Sequence, residues 1–161
     1  VDKALVFILT PFHPEFQKSF NAIAAVCTEL GLRPLRGDEE FIAGDVFPHI
    51  LRLIVRARIV IANIEGRNPN VFYELGIAHA LGKTTILVAE ANKEIPFDIK
   101  AKKLILYKSL FNLKQRLRIE LARSLAMEGV GANVPTEEGK RKQKPSGAQI
   151  KSAKSSEVEK D

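Results

Sequence analysis

Five short apolar runs along this chain are separated by longer stretches whose apolar residues recur every three or four positions. Residues 4–9, ALVFIL, are continuously apolar, as expected of a strand covered on both faces. The turn TPFHPE follows, and Phe16, Phe20, Ile23, Cys27 and Leu30 then recur at helical spacing up to a stop at Gly31. Residues 32–36, LRPLR, predict a short second strand, with Pro34 placing it at a sheet edge. After the loop GDEEFIAG, Asp45 is expected to cap a helix through Ala57, with Phe47, Ile50, Leu51 and Ile54 on one face and Pro48 in its first turn. Residues 58–63, RIVIAN, predict a third strand, and the loop IEGRNP leads to a helix from Val71 to Leu81, with Asn70 as N-cap and Gly82 as stop. Residues 84–89 and 103–107 predict two more strands, and Leu110, Leu113, Leu117 and Leu121 mark a final helix.

Strand and helix alternate through short loops. That is the sequence form of an α/β protein: a flavodoxin-like (Rossmann-like) three-layer fold with a mostly parallel five-stranded sheet. The predicted domain spans residues 1–128. From Gly129 the periodicity stops, and residues 129–161 are too rich in Lys, Glu, Ser, Gly and Pro to bury a core, so a disordered basic tail is expected there. In parallel sheets of this kind, ligands bind beyond the carboxyl ends of the strands. The loops at that end contain TPFHP, RGDEEFIAGD, NIEGRNPN and AEANKEIPFD.

Composition narrows the picture modestly. The 161 residues are 45% hydrophobic, enough for one domain with a sizeable core. No apolar run approaches the ~20 residues that span a bilayer, and no stretch reads as a signal peptide. The single cysteine, Cys27, excludes an internal disulfide and favours a cytoplasmic setting. It falls on an apolar helix face, which predicts a buried, inert thiol. The net charge is +6, of which the seven Lys or Arg and five Asp or Glu of residues 133–161 carry +2. The remaining charge is spread thinly, so nucleic acid is not an expected partner.

Several motifs fail on their context. GKT, residues 82–84, would need a glycine at position 77 for a phosphate loop, and that residue is Ile77; a helix also precedes it where a strand is required. His13, His49 and His79 have no metal-ligand spacing, and no metal is expected. Glu74 stands apart as the one formally charged side chain between Arg67 and Lys83. At 100° per residue with Val71 at 0°, Leu75 falls at about 40°, Ala78 at about 340° and Ile77 at about 240°, so Glu74, at about 300°, lies inside the apolar arc. A partly buried carboxylate needs compensation. It comes from a cationic or hydrogen-bonding ligand, or from backbone groups or an arginine such as Arg67. Asn63, Asn68 and Asn70 around Pro69 suit hydroxyl or phosphate recognition, or serve as turn and cap residues. Thr10, Pro11 and Phe12 sit at the same sheet edge, with Phe12 placed to stack on a base or to enter the core.

The segments VFILTPFHPEF, IVIANIEGRNPNVFYELGIAHALGK and IPFDI, in that order, resemble the TIR-like nucleotide-binding domains. Those domains are related to the nucleoside 2-deoxyribosyltransferases and, more distantly, to TIR domains that cleave NAD. The likeness covers about residues 3–108 and is most specific at NPNVFYELGIAHALGK. It implies a glutamate acting on an N-glycosidic bond, which is Glu74 in this chain. The candidate ligand contacts beside it are Thr10, Pro11, Phe12, Gly44, Asp45, Asn63, Glu65, Asn68, Asn70 and Tyr73. Asn63 departs from the acidic residue usual at that strand end, and Glu65 from the usual threonine.

The expected function is cleavage or transfer at the N-glycosidic bond of NAD or a nucleoside, with NAD as a substrate and no cofactor. The alternative is a nucleotide-binding or TIR-like signalling and assembly module without turnover. A third reading is an adaptor acting through its basic tail. Expected partners are a nucleotide or nucleoside ligand, further copies of the chain in a homo-oligomer, and fused or partner domains, with no membrane.

Overall fold

Alternation within the strands dictates the layers. In β1 (Leu5–Leu9), Val6 and Ile8 face one way and Leu5, Phe7 and Leu9 the other, and all five are buried. In β3 (Ile59–Asn63), Ile59 and Ile61 join the first set and Val60 and Ala62 the second. The same division runs through β4 (Thr84–Glu90), so both faces of the sheet must be covered. The computed structural model describes residues 1–37, 46–91 and 103–130. With β2 (Arg33–Arg36) and β5 (Leu104–Tyr107), the sheet order is β2-β1-β3-β4-β5 and every pair is parallel. This is the α/β flavodoxin-like three-layer fold, all-parallel where a mostly parallel sheet was expected. β2 is an edge strand, which accommodates Pro34.

One face is covered by α1 (Gln17–Glu29) and α4 (Leu110–Val130), through Phe20, Ile23, Val26 and Cys27 and through Leu113, Leu117 and Leu121. The other is covered by α2 (Val46–Arg56) and α3 (Pro69–Ala80), through Ile50, Leu53 and Ile54 and through Val71, Leu75 and Ala78. Cys27 is fully buried and burial pushes its thiol up to about 12, so it packs as an inert apolar group. α4 continues to Val130, slightly past the point where the periodicity fades. The expected tail from residue 131, and the candidate contacts Gly44 and Asp45 with the capping role of Asp45, lie outside the described residues.

The helix stops are as the glycines predict. Gly31 and Gly82 both have left-handed φ, +73° and +66°. After α3, Gly82 N–H donates to His79 C=O and Lys83 N–H to Ala78 C=O, a Schellman closure. The lysine of GKT has a structural task. Lys83 Nζ donates to Ala57 C=O at 2.9 Å and also to Val55 C=O, holding the last carbonyls of α2.

The start of α3 corrects the sequence expectation. The helix begins at Pro69, not Val71, and its N-cap is Asn68, not Asn70. Asn68 Oδ1 accepts from the N–H groups of Asn70 at 2.9 Å and Val71 at 3.3 Å. Proline at the first helical position needs no hydrogen-bond partner for its nitrogen, which moves the cap to the residue before it.

Candidate functional site

Topology places the site. β1 lies between β2 and β3; the chain leaves β1 into α1 on one face and leaves β3 into α3 on the other. The strand order therefore reverses between β1 and β3, and in sheets of this kind ligands bind beyond the carboxyl ends of the strands at that point. Thr10 to Phe12 follow β1, and Ile64 to Asn68 follow β3.

Glu74 occupies the second turn of α3. Val71, Leu75 and Ala78 face the core, while Tyr73 packs its ring 5.9 Å from that of Phe47 on α2. Glu74 lies between these two faces, so it borders the gap between α3 and α2. It is half-buried and has no hydrogen-bond or ion-pair partner among the described residues. Burial pushes its carboxyl up to about 7. A helix N-terminus favours an ionised carboxylate. Desolvation outweighs that help, and near neutral pH the group is poised between its two forms.

Thr10 is buried just past β1, and its Oγ1 has no hydrogen-bond partner among the described residues. Such an orphan is uncommon in a folded protein. Pro11 is buried beside it. Phe12 is 65% exposed, which decides against the core and leaves its ring available at the sheet edge. The Arg36 guanidinium lies 5.7 Å from the Phe12 ring and 4.6 Å from that of Phe20.

Asn63 and Glu65 are committed to the protein. Asn63 is fully buried; its Nδ2 donates to Ser19 Oγ at 3.1 Å, and its Oδ1 accepts from Glu65 N–H at 3.0 Å. Ser19 Oγ in turn donates to Phe16 C=O at 2.9 Å. The Glu65 carboxylate accepts from the Tyr107 hydroxyl at the end of β5. That hydroxyl is held well above the usual phenol range, first by burial and then by its bond to Glu65. Glu65 also lines a cavity of about 210 Å³ with Glu15, Phe16, Gly66 and Glu90, near the α1 and α4 layer. No described contact joins it to Glu74, which borders the α2 and α3 layer.

The loop between these residues is tightly turned. Gly66 and Arg67 adopt left-handed φ of 70° and 51°, and a Cβ on Gly66 would meet Phe16 at 3.1 Å. Asn68 caps α3, Asn70 is exposed in its first turn, and Tyr73 is 61% exposed. In chain order Thr10, Pro11 and Phe12 follow β1, and Asn68, Tyr73 and Glu74 belong to the start of α3 after β3, while Asn63 and Glu65 turn inward. The Tyr107–Glu65 and Ser19–Asn63 bonds join distant segments, and no local sequence pattern announces them. Among the described residues no cluster of His, Cys, Asp and Glu is arranged to hold a metal. No described helix is long and apolar enough to cross a membrane.

Comparison with known proteins agrees with this architecture. No protein-family model matches the chain, and no curated protein does. Among solved structures, a 2-deoxyribosyltransferase from Bacillus psychrosaccharolyticus superposes with a TM-score of 0.57 at 21% identity, covering 69% of this chain and 90% of that one. A CMP N-glycosidase from Clostridium botulinum gives 0.59 at 21% identity, covering 72% and 98%. The TIR domain of a Toll-related receptor from Hydra magnipapillata gives 0.60 at 16% identity, covering 75% and 97%. The chain thus has the TIR-like, nucleoside deoxyribosyltransferase-like fold.

Proposed function

We propose that this protein cleaves or transfers the N-glycosidic bond of NAD or a related nucleotide or nucleoside, with Glu74 as the catalytic carboxylate. The observation that carries this reading is a half-buried carboxyl in the second turn of α3, the helix that follows β3, with no partner among the described residues. A group so placed is destabilised when charged, and a cationic ligand relieves that cost. Two structural neighbours, the 2-deoxyribosyltransferase and the CMP N-glycosidase, handle such bonds by name, which supports the reaction class.

When the bond between C1′ and the base nitrogen breaks, its electron pair leaves with the base and positive charge develops on the sugar. The Glu74 carboxylate stabilises that charge or attacks C1′ to give a covalent sugar ester. Water then completes hydrolysis, or a second base completes transfer. Nicotinamide departs as a neutral base and needs no proton; an ordinary purine or pyrimidine needs an acid. Glu65, the nearest acid in sequence, is bonded to Tyr107, and this favours NAD over a nucleoside. Thr10, Pro11, Phe12, Asn68, Asn70 and Tyr73 would contact the ligand, with Gly44 and Asp45 from the loop before α2.

The test is release of free base from NAD and from nucleosides, followed chromatographically, with Glu74→Gln as control. Release abolished by the substitution supports the reading; equal release by both forms overturns it. kcat/KM should rise with pH through about 7 and then level, because the ionised form acts and the free group titrates there. A second reading, a nucleotide-binding or assembly module without turnover, is favoured by Asn63, which offers its buried amide to Ser19 and Glu65. Ligand binding without base release, equal in both forms, would select it.

A further inference from the structure

We propose that the groove between the start of α1 and the start of α4 docks a segment of a partner protein carrying an apolar anchor flanked by carboxylates. The groove measures about 410 Å³ and is lined by Lys18, Asn21 and Ala22 from α1 and by Leu110, Phe111 and Lys114 from α4. Its walls are almost wholly apolar, and Phe111 at its lip is 70% exposed. Covering such an aromatic removes a large apolar area from water.

Charge selects the occupant. One lysine stands on each helix, and neither Lys18 nor Lys114 has an ion-pair or hydrogen-bond partner among the described residues. The other cations of α4 are engaged: Arg118 pairs with Glu29 of α1, Arg123 pairs with Glu120, and Arg116 donates to Leu106 C=O. An apolar trough between two unmatched cations fits an apolar side chain with an acid on either side. Both helices begin at the carboxyl edge of the sheet, so the positive ends of their dipoles lie on this side. The inference stands independently of whether Glu74 is catalytic.

The probe is a fluorescein-labelled dodecapeptide of repeating Glu-Leu-Leu-Glu, compared with the same peptide bearing glutamine for every glutamate. Binding to the full chain is followed by fluorescence anisotropy and by amide chemical shifts. The expected result is saturable binding with shifts centred on the six lining residues. Affinity should fall about 5- to 30-fold with the glutamine peptide, with added salt, and with the exposed Lys18→Glu, Lys114→Glu pair, as expected for losing two surface ion pairs. Phe111→Ser should weaken both peptides. Equal affinity for the two peptides, shifts located elsewhere, or no binding overturns the proposal. So does self-association that moves the same resonances without peptide, which assigns the groove to a second copy of the chain.

Discussion

At Glu74 two physical terms oppose each other. The early turns of α3 favour an anion by ~0.3–1 kcal/mol, while loss of solvent disfavours it and raises the carboxyl from 4.5 to about 7. The folded state therefore binds more protons than the unfolded state between those two values, and stability must fall as pH rises across that window. Allowing for the solvent that still screens a half-buried group, the loss is about 1–2 kcal/mol. Glu74→Gln removes the titrating group. Urea denaturation should find the variant gaining about 1–2 kcal/mol on the wild type between pH 4.5 and pH 8; a constant gap would refute the burial assigned to Glu74. Tyr107→Phe tests the neighbouring acid. It takes a donor from the buried Glu65 carboxylate and should cost about 1–3 kcal/mol in thermal or urea unfolding at neutral pH. The Glu74 position was legible because helical periodicity places it inside an apolar arc. Its lack of a partner was not, since that depends on α2, which is distant in sequence. The inward commitment of Asn63 was hidden for the same reason: its partner Ser19 lies 44 residues away.

Among the elements, boundaries were less legible than identities. Periodicity placed the four helices and five strands, because burial of both sheet faces leaves continuous apolar runs and one-sided helices. The start of α3 was ambiguous because Asn68 and Asn70 can both cap and flank a proline. Local geometry decides for Asn68, whose Oδ1 reaches two free N–H groups. Asn68→Ala should therefore cost about 1 kcal/mol and Asn70→Ala less than about 0.5 kcal/mol. Equal losses in denaturant titrations would contradict the assigned cap. The loop before α3 is the strained connection at the site. Gly66→Ala would place a Cβ at left-handed φ and 3.1 Å from Phe16 Cζ, at a cost of about 1–2 kcal/mol. Because this loop joins β3 to the helix bearing Glu74, the same change should lower base release by more than its effect on stability alone.

At the scale of the whole molecule, the order β2-β1-β3-β4-β5 determines where chemistry can occur. Chain reversal between β1 and β3 sends neighbouring connections, into α1 and into α3, to opposite faces of the sheet. That order is a long-range property. Alternation of strand and helix foretells a parallel sheet, but the neighbours of each strand emerge only when two separate apolar clusters are closed. Among the described residues α4 covers one of those clusters with Leu113, Leu117 and Leu121, and Leu125 packs against it. A chain ending at residue 130 should accordingly retain its core. Removing residues 131–161 takes away seven Lys or Arg and five Asp or Glu, +2 of the +6 net charge, and none of the residues named in either cluster. Its thermal midpoint should stay within about 2 °C of the full chain, since a surface change of under ~0.5 kcal/mol shifts a domain of this size no further. Base release should persist, because Glu74 and Thr10 both precede the cut. A fall of more than about 5 °C would mean that the removed segment packs against the fold, and loss of activity at an unchanged midpoint would place part of the site within it.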